Sequence, residues 1–161
     1  MRAASVRPET VFRPDLYNVI PLDKKIANEL IVRHHYLHRR PPNAHSFGLV
    51  DLEGMVLGAV IFGTPASRHL QMGACPSDPS LVIELNRLWV DDACPRNSES
   101  FFVSRALKQL PPLIVVSYAD TAWQHVGTIY RALNFHYAGW TDMERKTPRY
   151  DYNRTGRAAY A

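Results

Sequence analysis

One stretch constrains this chain more than any other: Pro112-Leu-Ile-Val-Val-Ser-Tyr-Ala-Asp120. It is apolar at every position from Leu113 to Val116, the pattern of a strand buried on both faces, and then turns polar at Ser117, Tyr118 and Asp120. A central strand that ends in hydroxyls and a carboxylate is a natural wall for a site. Beyond it, Val126, Ile129, Tyr130 and Leu133 recur at offsets of three, four and seven, which predicts a short helix ended by Asn134. Phe135 to Trp140 then reads as a final strand.

The rest of the chain must build a sheet around that strand. Asp23 is placed to cap a helix in which Ile26, Ala27, Leu30 and Ile31 share a face, and Pro41-Pro42 bars its continuation past His35. Phe47 to Val50 and Met55 to Phe62 predict an antiparallel hairpin, with Gly54 supplying a positive φ in the turn. Gly63 to Pro79 lacks a period and reads as a functional loop carrying Arg68 and His69. Leu81 to Val90 predicts a second strong strand, with Leu81, Ile83 and Leu85 on one face and Val82, Glu84, Asn86 and Leu88 on the other. Asn97 or Ser98 would cap a helix burying Phe101, Phe102, Ala106 and Leu110. Helix, hairpin, strand, helix, strand, helix, strand is an α+β order, economically packed as a mostly antiparallel mixed sheet with helices on both faces. At 161 residues, one domain over 1–161 is expected, with an N-terminal arm (1–15) and a basic C-terminal tail (141–161).

Nineteen basic against fifteen acidic residues give a formal charge of +4, compatible with a polyanionic partner without requiring one. Two cysteines, Cys75 and Cys94, form neither a disulfide framework nor a thiolate zinc site. No apolar run approaches a membrane span and no leader is evident, so a cytoplasmic location is expected.

Three clusters are candidates for chemistry. His34, His35 and His38 lie around Tyr36; His34 and His38, four apart, would share a helix face and could meet one metal ion, or else form a basic patch with Arg39 and Arg40. Glu84, Asn86 and Arg87 place polar groups in an apolar strand, either as structural partners or as a pocket that holds an amine and a phosphate. Ser117, Tyr118 and Asp120 lack the Gly-x-Ser-x-Gly elbow of a hydrolase and suit donor binding and proton relay, with Tyr130 as an acid or a core residue.

Cys75-Pro-Ser77, Glu84-Leu-Asn-Arg-Leu-Trp-Val-Asp91, Arg96-Asn-Ser98, Ser117-Tyr-Ala-Asp120 and Gly127 to Phe135, in that order, resemble the Mom DNA-modification proteins of bacteriophages. The resemblance runs from about Ile31 to Trp140. It implies a GNAT-like acyltransferase fold and modification of the N6 amine of adenine in double-stranded DNA to a carbamoylmethyl or methylcarbamoyl adduct, guarding phage DNA from restriction in the host cytoplasm. It further implies an acetyl-CoA related acyl donor and iron. Carried onto this sequence, it gives His35, Tyr36 and Asp120 for metal, and Tyr36, Glu84, Ser117, Asp120 and Tyr130 for catalysis. Arg96, Asn97 and Ser98, with Ser117 and Tyr130, would hold the donor, although the glycine-rich pyrophosphate loop of ordinary GNAT enzymes is missing there. Arg39, Arg40, Arg68, Asn86, Arg87, Lys146 and Arg149 would face DNA, with Tyr36, Trp89 or Trp123 stacking on the displaced base. A homodimer is part of the same expectation, and a membrane partner is not. The alternatives are a conventional GNAT acetyltransferase for a small amine or protein, and a DNA-binding protein without catalysis.

Overall fold

The computed structural model describes residues 11–119, 127–140 and 158–160. Its strands are β1 (Tyr17–Pro21), β2 (His45–Asp51), β3 (Val56–Gly63), β4 (Val82–Val90), β5 (Ile114–Ala119), β6 (Tyr137–Trp140) and β7 (Ala158–Tyr160). They form one seven-stranded sheet in the order β1-β2-β3-β4-β5-β7-β6. The helices are α1 (Lys24–His34), α2 (Arg68–Ala74), α3 (Ser98–Leu107) and α4 (Thr128–Ala132). All pairings are antiparallel except β4 with β5, so the architecture is α+β with a mixed sheet.

Local chemistry sets the element ends. Asp23 Oδ1 accepts from the N–H groups of Lys25 (2.8 Å) and Ile26 (3.2 Å), satisfying two donors at the start of α1. The β2–β3 turn uses Gly54 at φ +85°, while Asp51 Oδ1 accepts from Glu53 N (3.0 Å) and Met55 N (2.8 Å). The α3 start departs from expectation. Asn97 occupies the cap position at φ +74° with no side-chain cap bond, and buried Ser98 donates its hydroxyl backwards to Pro95 O at 2.7 Å.

Each face of the sheet has its own core. Ala27 and Ile31 of α1 pack on Ala59 and Ile61 of β3, flanked by Leu22, Leu30 and Trp89. Phe102, Val103 and Ala106 of α3 pack on Phe47, Leu49, Val60, Phe62, Ile83, Leu85 and Val90. Burying each of the larger side chains contributes about 1.5–3 kcal/mol, so two such layers suffice to fix both helices on the sheet.

Four features differ from the sequence reading. β1 lies where no strand was predicted: five residues ending in proline, with only Tyr17 and Val19 turned inward, leave almost no alternation to detect. The expected loop after Gly63 contains α2, capped by the Ser67 hydroxyl and tied down by Gln71, whose amide donates to Pro79 O (3.3 Å) and Val82 O (3.2 Å). Three residues of the expected tail form β7 between β5 and β6, so the strands flanking α4 are not neighbours. Finally, the β3–β4 register slips at Asn86: Phe62 pairs with Leu85 and Ile61 with Arg87. This bulge reverses the alternation. Leu88 and Val90 therefore join the α3-side core, and Trp89 packs on the α1 side.

Candidate functional site

Strands β4 and β5 pair only from Val82–Ile114 to Glu84–Val116. Past that point β4 stays with β3, while β5 turns to β7 through Ser117, Tyr118 and Ala119. Two parallel strands with different partners must part. The gap is a cavity of about 490 Å³, walled by β4 from Glu84 to Val90, by Tyr118 and Ala119, by the chain leaving α1 (His34 to Leu37) and by Gly127 to Tyr130. Members of the three chemical clusters seen in the sequence, namely His34, His35 and Tyr36, then Glu84, Asn86 and Arg87, and Tyr118 with Tyr130, thus meet in one place, which no spacing along the chain could establish.

At the α1 end, His34 closes the helix and stacks on Trp89, ring centroids 4.2 Å apart at 13°. His35, buried, stacks on Tyr36 at 4.2 Å and 29°. Its Nδ1 accepts the Leu37 N–H at 3.2 Å. His38 lies beyond the helix at φ +46°, its Nδ1 on Val32 O at 2.8 Å. The expectation that His34 and His38 share a helix face is therefore corrected, because α1 ends at His34.

On β4, Glu84 is a buried carboxylate in the cavity wall. Asn86, at the bulge, donates its amide to Pro42 O at 2.9 Å, and Arg87 Nη1 donates to Asn86 O at 2.6 Å. The bulge brings Arg87 into line with Trp89 and away from the α3 core. Across the gap, Tyr130 packs near Phe135, with centroids 5.5 Å apart, and reaches the same cavity.

Ser117 is placed differently. It is 1% exposed and does not line the cavity; its hydroxyl donates to Leu85 O at 3.4 Å. That carbonyl sits one residue past the last β4–β5 pair, so the side chain bridges the strands where their backbones begin to part. Arg96 and Asn97 are exposed and Ser98 is buried, and none of the three borders the cavity. Arg39, Arg40 and Arg68 are exposed outside its walls. Asp120, Trp123, Lys146 and Arg149 lie outside the described residues.

Arg39 and Arg40 precede Pro42, which abuts Gly63 at the end of β3, and Arg68 opens α2 just beyond Gly63. Asp92 and Glu99, which sequence reading missed, line the cavity near the other end of β4 and the start of α3. Nothing in their spacing singles them out; only the fold brings them to one cavity.

Of the metal set that the resemblance implies, His35 and Tyr36 line the cavity and Asp120 lies outside the described residues. Among the described residues no three His, Cys, Asp or Glu side chains are grouped so as to hold one metal ion. At the α3 start, the cavity side carries two carboxylates, with Glu99 itself matching the positive end of the helix.

The family model described as the Mom protein family matches residues 16–159, from the start of β1 into β7. The chain belongs to the Mom protein family. Methylcarbamoylase mom of Escherichia phage Mu is 32% identical over 123 residues, covering 71% of this chain and 50% of the relative. This Mom-family chain thus spans about half the length of the curated relative it matches. Among the described residues no helix is long and apolar enough to cross a membrane.

Proposed function

We propose that this Mom-family protein is a DNA-modification transferase that places a methylcarbamoyl group on N6 of adenine in double-stranded DNA, protecting phage DNA from restriction in the host cytoplasm. The observation that carries this is the cavity between the parting strands, where Glu84, Arg87, His35, Tyr36 and Tyr130 converge, in a chain related to a protein named methylcarbamoylase. The strand order β1-β2-β3-β4-β5-β7-β6, with the parallel pair opening into the site, supports a GNAT-like acyltransferase architecture.

A methylcarbamoyl adduct is a urea, so its formation is acyl transfer. The adenine amine attacks the carbonyl carbon of the donor; the N–C bond forms, the bond to the leaving group breaks and the amine loses one proton. Glu84 is the carboxylate that accepts from the amine, and Tyr130 is the phenol that supplies a proton to the leaving group. Arg87 steadies the negative charge on the carbonyl oxygen. The amine is reached by displacing the base, which then extends one of the two His–aromatic stacks. The donor class is a carbonyl compound with a departing group.

Mass spectrometry of nucleosides from plasmid DNA, after expression of the protein, tests this. A deoxyadenosine carrying one added methylcarbamoyl mass is expected, losing methyl isocyanate on fragmentation as a carbamoylmethyl isomer would not. Glu84→Gln should lower the adduct by about 10²-fold or more. Folded protein that leaves adenine unchanged overturns the proposal. An acetylated amine then favours a conventional acetyltransferase, and salt-sensitive binding alone favours a non-catalytic DNA-binding protein.

A further inference from the structure

The chain from His35 to Pro42 holds one wall of the cavity at its start and two exposed arginines, Arg39 and Arg40, near its end. It belongs to no helix or strand. A segment of this kind keeps its place only where something fastens it. At the His35 end the fastening is local: His35 Nδ1 accepts from Leu37 N at 3.2 Å, His38 N donates to His35 O at 2.9 Å, and His38 Nδ1 meets Val32 O at 2.8 Å.

At the Pro42 end it comes from the sheet. Proline has no N–H to donate, so its carbonyl is the only backbone group that Pro42 can offer, and Asn86 donates its side-chain amide to that oxygen at 2.9 Å across 44 residues of sequence. The approach is close enough to require a glycine. A Cβ on Gly63 would lie 2.1 Å from Pro42 O, 2.6 Å from its carbonyl carbon and 2.7 Å from Asn86 Nδ2. The β4 bulge that exposes Arg87 to the cavity also sets Asn86 out of the ladder, where its amide reaches Pro42. Just beyond, Ala44 N donates to Phe62 O at 2.8 Å, beginning the path into β2.

We propose that Asn86 and Gly63 form a latch that holds the His35–Pro42 segment across the cavity rim, making both of them positioning residues for duplex DNA. Asn86 acts through Pro42, and Gly63 acts by having no side chain. The latch fixes where Arg39 and Arg40 stand relative to Glu84 and Arg87, so that phosphate contact and base delivery share one geometry. The DNA part rests on the proposed function; the latch itself does not.

Two variants release it from different strands. Asn86→Asp keeps the shape but sets a carboxylate oxygen against the Pro42 carbonyl, and Gly63→Ala pushes Pro42 away. The first readout is limited trypsin digestion of the full chain. Cleavage after Arg39 should quicken roughly tenfold in both variants, as expected for losing one hydrogen bond from the closed state; the Arg40–Pro41 bond resists trypsin and does not confuse the product. The second is binding of a short labelled duplex at increasing salt. If Arg39 and Arg40 each neutralise one phosphate, the slope of log affinity against log salt should shrink by about 1.8 in each variant. In an Arg39→Ala/Arg40→Ala background, Gly63→Ala should change binding no further, a non-additivity that general loss of structure does not produce. Unchanged cleavage after Arg39 in both variants overturns the latch. Faster cleavage with an unchanged salt slope, or full additivity with the arginine changes, overturns its role in DNA binding. Wild-type protein without salt-sensitive DNA binding overturns the DNA reading of the whole site, and the cleavage result then decides the latch alone.

Discussion

Replacing Ser117 by alanine separates a chemical role for its hydroxyl from a structural one. The side chain is 1% exposed, outside the cavity lining, and its hydroxyl donates at 3.4 Å to Leu85 O at the point where β4 and β5 part. Alanine fits the same space and removes only the oxygen. A bond that long lies at the weak end of its class, so its loss and the partial orphaning of a buried carbonyl should cost about 1 kcal/mol. For a chain of this size that lowers Tm by about 2–4 °C. Thermal unfolding by circular dichroism measures the shift, and the adenine adduct per folded molecule measures function. The expected pair of results is a small drop in Tm with adduct formation within about twofold of wild type. An unchanged Tm with adduct formation lost would refute the reasoning and put the Ser117 hydroxyl into the chemistry.

Two further outcomes follow from the packing and the charges. Phe102→Ala empties a fully buried position between α3 and the sheet, costing about 3–5 kcal/mol, and a urea melt should show a midpoint lowered accordingly with little change in slope. Burial, together with nearby Cys94 and Asp51, pushes the Tyr17 phenol above its ordinary value of 10.0. A phenol raised in the fold adds stability at pH values below the unfolded value and loses it as pH rises through the folded one. Tyr17→Phe should therefore flatten the decline in stability between neutral pH and about pH 11, and an unchanged decline would exclude Tyr17 as its source.

Much of this protein is legible from one dimension. The apolar run into Ser117 predicts an interior strand, and β5 does lie between β4 and β7, although Ile114 at its start is exposed. Asp23, Pro41-Pro42 and Gly54 mark their helix and turn because capping, ring closure and positive φ are local requirements, and local requirements leave residue-specific marks. The ordered motifs from Cys75 to Phe135 also carry the family, which the comparison with known proteins shows.

Other features depend on contacts between distant segments. The bulge at Asn86 is absent from the alternation of Leu81 to Val90, because a register slip is set by the partner strand. β7 needs β5 and β6 on either side before Ala158 to Tyr160 become a strand at all. The cavity exists because β4 and β5 take different partners beyond Glu84 and Val116, and it draws in Asp92 and Glu99, residues with no local signature. The sequence by itself determined the family, through its ordered motifs, and also the buried strand and which residue types carry chemistry, since composition and periodicity record burial and local geometry. Only the tertiary structure decided that His35, Tyr36, Glu84, Arg87 and Tyr130 share one space while Ser117 stands behind its wall. Strand pairing, which sums weak backbone contacts across the whole sheet, places no mark on any single residue.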